Sequence, residues 1–216
     1  MLVAIGVDDT GHRDIGVAEG MKEDKASWEE FLRSLIERGL RGVRLVVGDR
    51  CAGLVSTVNA MLPGAGYQRC MVHFMRNVLS KVSHKHAAWA ASALKAVFAM
   101  ESWQAALEKA EQVATEMESK GLKAAASCLR EGISETTIYL LDDYPVEHRR
   151  RIRTNNMIER PDREIRRRTR VVGSFPDGRS ALMLVCARIR YVTANQWSAR
   201  RYLDMSRLDG IMQSTD

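Results

Sequence analysis

The chain has 216 residues, 45% of them apolar and 28% charged, which suits one large soluble domain or one domain carrying an insert. No apolar run reaches the ~20 residues that span a bilayer, and Met1–Val7 lacks the basic start of a signal peptide, so a membrane protein is excluded as an expectation. The net charge of +6 is concentrated: between Arg149 and Arg170 ten arginines face three acids, a local charge of +7, and the other residues together carry −1.

In chain order, Leu2–Val7 reads as a buried strand, Asp8-Asp9-Thr10-Gly11 as a turn and Arg13–Ala18 as the return strand of a hairpin. Asp24 or Ser27 is placed to cap a helix over Trp28–Arg38, whose Trp28, Phe31, Leu32, Leu35 and Ile36 share one face. Val43–Val47 is a second buried strand, closed by Gly48-Asp49. Gly53–Met61 reads as a short helix stopped by Pro63-Gly64, and Tyr67–Arg69 as a further strand. The order β-β-α-β-α-β predicts an α/β domain with a mixed sheet.

No proline occurs between Pro63 and Pro145, and the stretch from Phe74 is rich in Ala, Lys, Glu and Met. It predicts an all-helical insertion, broken near Glu101-Ser102 and Gly121, with Trp89, Val97, Trp103, Leu107, Val113 and Met117 as core. Helices follow over Met157–Arg168 and Arg179–Thr193, separated by the Gly173–Gly178 loop. The expected organisation is 1–73 as the first part of the α/β core, 74–144 as the insertion and 145–216 as the C-terminal helical part of the core.

Asp49 ends a buried strand, where active-site residues of α/β sheets collect, although an Asp there also serves to cap the next helix. Glu159 sits among arginines, as a metal ligand or as a salt-bridge partner. Together the two carboxylates match what a two-metal nuclease or strand transferase needs, hard oxygen ligands for Mg²⁺. Cys70 and His73 have Cys-x-x-His spacing, with His84 and His86 downstream. They read as local packing and hydrogen bonding near the sheet end, or as a zinc set. The scattered Cys51, Cys70, Cys128 and Cys186 fit reduced thiols of a cytosolic protein. The basic stripe is all arginine, whose planar fork suits phosphates, and so points to nucleic acid; a merely solvated helix face is the plainer alternative.

Three strings carry a resemblance. Val46-Val47-Gly48-Asp49-Arg50-Cys51-Ala52-Gly53-Leu54 resembles the second-aspartate motif of Mutator-like bacterial insertion-sequence transposases. Gln68-Arg69-Cys70-Met71-Val72-His73-Phe74-Met75-Arg76-Asn77 resembles their Cys-x-x-His motif, and Arg153-Thr154-Asn155-Asn156-Met157-Ile158-Glu159-Arg160 their final-glutamate motif. The tail Arg166–Pro176 continues the likeness, which covers essentially the whole chain. Two details depart from it: Pro161-Asp162 stands where the family usually carries Leu-Asn, and Arg149 where it carries Trp.

The resemblance implies a ribonuclease-H-like core, DNA transposition by an Asp-Asp-Glu triad and Mg²⁺ or Mn²⁺ held by Asp49 and Glu159. It further implies DNA partners at the terminal repeats and target, self-association, and a bacterial cytoplasmic, nucleoid-associated setting. Arg153, Asn156, Arg163, Arg166, Arg167, Arg168 and Arg170 are the expected DNA-binding residues, with Cys70 and His73 as an accessory motif. The family's first Asp lies on a strand upstream of Met1, and Asp8 and Asp9, in the hairpin turn, do not replace it. The expectation is therefore a sheet lacking its first strand and a fragment inactive alone. The alternative is a module that grips DNA or a transposase without cutting; an unrelated metal-dependent nuclease suits the long motifs less well.

Overall fold

The computed structural model describes residues 2–18, 24–172, 175–193 and 199–208. They form a mixed α/β protein, mostly helical with small sheets. The chain divides into two units, one drawn from 1–44, 51–65 and 155–216, the other from 45–50 and 66–154. No helix among the described residues is long and apolar enough to cross a membrane.

In the first unit β1 (Leu2–Val7) and β2 (Arg13–Ala18) pair antiparallel, from Leu2 opposite Ala18 to Val7 opposite Arg13. The turn between them is closed by Asp8. Its carboxylate accepts from the Thr10 hydroxyl at 2.6 Å and from the backbone N–H groups of Thr10 and His12, both at 2.9 Å. These bonds, the hydroxyl's first, hold Asp8 below the usual carboxylate range. Helix α1 (Lys25–Glu37) starts where the Asp24 side chain accepts from Ser27 N–H at 3.0 Å, so Asp24 is the cap and the helix begins a turn earlier than expected.

Helix α1 packs on α2 (Ala52–Met61), and Gly53 permits the approach: a Cβ there would lie 2.8 Å from the Lys25 backbone nitrogen. The helices α8 (Asn156–Val172) and α9 (Gly178–Thr193) lie against each other, α8 also against β1 and α9 against β2. Gly173 and Ser174 of the expected loop fall outside the described residues.

In the second unit β3 (Leu45–Gly48) and β4 (Gly66–Arg69) pair parallel, Leu45 opposite Gly66 and Gly48 opposite Arg69. Around them run α3 (Met71–Leu79), α4 (Ala87–Val97), α5 (Trp103–Ser119), α6 (Lys123–Thr136) and α7 (Val146–Ile152). Their core contains Phe74, Val78, Leu94, Val97, Val113, Met117 and Leu129. Ser102 caps α5 by accepting from Ala105 N–H at 3.2 Å, and Gly121, at φ +78°, makes the turn into α6. Arg130 on α6 clamps α5 from outside, reaching Glu111 at 2.8 Å and Glu118 at 2.6 Å.

Among the described residues the strands pair as two two-stranded ladders, β1 with β2 in one unit and β3 with β4 in the other. Each is closed by a direct connection, the five-residue turn 8–12 or the stretch through α2. One boundary is corrected: the strand expected over Val43–Val47 starts two residues late, at Leu45, because Gly42 at φ +62° keeps the preceding backbone out of the extended region.

Candidate active site

The parallel register builds the site. Because Gly48 lies opposite Arg69, the residues that follow, Asp49 and Cys70, leave neighbouring strand ends together. The turn is fixed by the Cys70 N–H donating to the Gly48 carbonyl at 2.7 Å. Cys70 begins α3 and is fully buried, and Met71 N–H donates to the Arg153 carbonyl at 3.0 Å, so the helix starts in one place. One turn in, His73 sets its Nδ1 against Oδ1 of Asp49. The Tyr67 hydroxyl donates to the Asp49 backbone carbonyl. Among the described residues Asp49, Cys70 and His73 form a group whose possible metal-ligand atoms all lie within 4.8 Å of one another. His84 and His86, on a 3-10 turn, are not part of it. The zinc set of two cysteine-motif residues and two downstream histidines therefore does not form. The spacing gave no warning of this, because α3 carries the later histidines away from the strand ends.

Two residues beneath the site were not singled out from the sequence. Gln68 is fully buried on β4, and its amide donates to the carbonyls of Thr136 at 2.6 Å and Arg69 at 2.7 Å. Its oxygen accepts from Tyr139 N–H at 2.9 Å. One side chain thus bolts β4 to the end of α6 and the turn after it. Arg69 is buried with its guanidinium 4.8 Å from the Phe74 ring centre. Burial, then the like charge of Arg50, lowers its pKa from the ordinary arginine value. A polar residue inside a four-residue strand was the available signal for Gln68; for Arg69 there was none.

Glu159 lies in the other unit, in the first turn of α8. Pro161, two residues on, sits inside the helix, so the Met157 carbonyl loses its i+4 donor there. Along α8, Ile158, Pro161, Asp162, Ile165 and Thr169 turn inward to varying degrees, whereas Glu159, Arg163, Arg166 and Arg170 are exposed at i, i+4, i+7 and i+11. Glu159 therefore heads an arginine face. Arg167 is tied at 3.2 Å to Glu164, which also takes Arg188 of α9 at 2.7 Å. Arg163, Arg166, Arg168 and Arg170 make no ion pair among the described residues.

Not every arginine of the stripe is of this kind. Arg149 donates to the carbonyls of Glu101 at 2.6 Å and Leu140 at 3.2 Å, inside the second unit. Arg153, expected at DNA, is half-buried with its guanidinium at the Tyr139 phenol, while Asn156 is exposed at the start of α8.

The family model of the Mutator family of transposases matches residues 1–199. The chain is 36% identical over 210 residues to the transposase for insertion sequence element ISRM5 of Rhizobium meliloti, covering 96% of this chain and 52% of that protein. It is 35% identical over 206 residues to the transposase for IS1081 of Mycobacterium tuberculosis, covering 94% and 49%. With the transposase for IS256 in transposon Tn4001 of Staphylococcus aureus it shares 30% over 210 residues, covering 95% and 53%. The chain spans about half the length of these curated relatives. The match over 199 residues, with Asp49, Cys70 and His73 gathered at one pair of strand ends, makes this chain a member of the Mutator family of transposases.

Proposed function

We propose that these residues belong to the DNA-cleaving and strand-transferring part of an insertion-sequence transposase, with Asp49 and Glu159 as its metal-binding carboxylates. The observation that carries the reading is the meeting of Asp49 with His73 at the ends of β3 and β4. The donor chemistry divides the group. The exposed Asp49 carboxylate offers the hard oxygens that Mg²⁺ or Mn²⁺ takes, whereas the buried Cys70 thiol and the His73 imidazole are softer donors. Asp49 and Glu159 would then hold the metal, with His73 bonded to Asp49 and orienting it, as ligating carboxylates at metal sites are themselves hydrogen-bonded. When bound, the divalent cation supplies activation of the attacking oxygen and stabilisation of the leaving 3′ oxygen. Tyr67 fixes the Asp49 main chain, and the α8 arginines grip phosphates beside Glu159.

The same reading includes a ribonuclease-H-like sheet, completed by a strand carrying a further Asp from outside these 216 residues. It also includes self-association, terminal-repeat and target DNA as partners, and a place in the bacterial cytoplasm at the nucleoid. A second reading, a module that holds DNA or a transposase without cutting, is favoured by the arginine face itself, which needs no carboxylate. Nicking of terminal-repeat DNA with Mg²⁺ or Mn²⁺, by these residues joined to the strand that carries the further Asp, separates the two. Under the main reading Asp49→Asn and Glu159→Gln each abolish that nicking and leave DNA binding intact. Nicking that survives both changes refutes it, and tight binding with no nicking by the joined protein favours the second.

A further inference from the structure

We propose that the groove between α3 and α6 in the second unit is a binding track for the phosphates of one nucleic-acid strand, leading away from Asp49. This rests on the reading that the chain acts on DNA, and adds to it a site separate from the arginine face of α8. The groove has a volume of about 500 Å³ and is lined by Arg50, Asn77, Ser80 and Lys81 on one side and Ser127 and Glu131 on the other.

Its position follows from the helix. His73, Asn77 and Ser80 stand at i, i+4 and i+7, so the side of α3 that turns His73 to Asp49 carries Asn77 and Ser80 into the groove. At ~1.5 Å per residue, Lys81 is about 12 Å along from His73. Arg50 directly follows Asp49 in the chain and reaches the same groove. The track and the strand-end site are therefore joined twice, through one peptide bond and through one helix face.

The lining selects the occupant. Arg50 and Lys81 are exposed and make no ion pair among the described residues. Arg69, buried close by, adds like charge behind Arg50. Asn77 offers a neutral amide donor, while the Ser80 hydroxyl donates to the Asn77 carbonyl at 2.9 Å. The one acid, Glu131, accepts from the Ser127 hydroxyl at 2.7 Å. No large apolar side chain lines the groove to anchor a peptide or a lipid tail. A groove of about 500 Å³ takes a short piece of one strand and is too small to enclose a duplex.

The test uses fluorescence anisotropy of a labelled oligothymidylate single strand and a labelled duplex, across a KCl series. Arg50→Gln with Lys81→Gln is expected to weaken single-strand binding and to flatten the salt slope by about 1.4, from two phosphate contacts at ~0.7 each. Glu131→Gln is expected to tighten it. In the unaltered protein, oligothymidylate is expected to slow alkylation of Cys128, half-buried in the groove wall and read by peptide mass spectrometry. The Glu131 and Cys128 measurements stand even where the double variant folds poorly. The proposal is overturned if single-strand affinity, slope and Cys128 reactivity are all unchanged while Arg163→Gln, Arg166→Gln and Arg170→Gln together still weaken duplex binding. If that triple variant binds both probes as the unaltered protein does, the arginine-face reading fails instead.

Discussion

Gln68→Leu removes a side chain of similar size that makes three bonds to buried main chain. Leucine refills the space, so the cavity contribution is small and the polar loss dominates. The Tyr139 N–H and the Thr136 carbonyl lose the partner provided by Gln68, and each unsatisfied buried group costs ~1–3 kcal/mol. The expected loss is therefore ~2–6 kcal/mol, against the ~5–15 kcal/mol that holds a domain. The affected unit has fewer than a hundred residues, for which 1 kcal/mol moves Tm by ~4–8 °C. Even the lower bound lowers the midpoint of that unit by about 8 °C, readable by differential scanning calorimetry with far-UV circular dichroism. Gln68→Glu should be as harmful, because it keeps an acceptor for Tyr139 but turns an oxygen toward two carbonyls. A fall of less than about 3 °C for Gln68→Leu would refute the reasoning, since it would mean that these main-chain groups find other partners without cost.

Gly132→Ala should cost ~1–3 kcal/mol by urea denaturation, because a Cβ there would lie 2.5 Å from both the Phe74 ring and the Arg69 guanidinium; an unchanged midpoint would show that the ring shifts freely. Burial raises the pKa of Asp162 from its ordinary value, with Arg166 opposing and Glu159 adding to the rise. Its ionised form is thus disfavoured by folding, so Asp162→Asn should raise Tm at neutral pH, with the gain vanishing once acidification protonates the folded and unfolded Asp alike. Arg130 holds Glu111 and Glu118 below the ordinary glutamate range, chiefly through direct hydrogen bonds. Their contribution is present at neutral pH and is lost as pH falls through those lowered values. Arg130→Gln should accordingly shrink the Tm difference between neutral and strongly acid solution.

What the sequence made legible was local. Strand ends at Gly48-Asp49 and before Cys70, the helical run after them, and breaks at Ser102 and Gly121 all follow from apolar runs, caps and glycines within a few residues of one another. The meeting of Asp49 with His73 depends on a parallel register across a helix, and no local pattern states a register. The partners of Gln68 could not be read for a related reason: Thr136 and Tyr139 are 68 and 71 residues away. The arginine stripe looked uniform along the chain, yet Arg149 binds main-chain carbonyls while Arg163 stands exposed, a difference that only packing decides. Pro161, a departure from the family's Leu, lies inside α8, and the backbone bond it cannot donate would span Glu159 in the first turn.

The complete burial of Cys70 at the start of α3 gives the protein an internal gauge of stability. A thiol reagent in solution meets Cys186 at once and Cys51 and Cys128 soon after, but reaches Cys70 only when the junction of β4 and α3 comes apart. When that opening is rapid and reversible, the slowest phase of labelling measures its free energy directly. The stability of the junction that holds Asp49 and His73 together can thus be read in the native protein, without denaturant, DNA or metal.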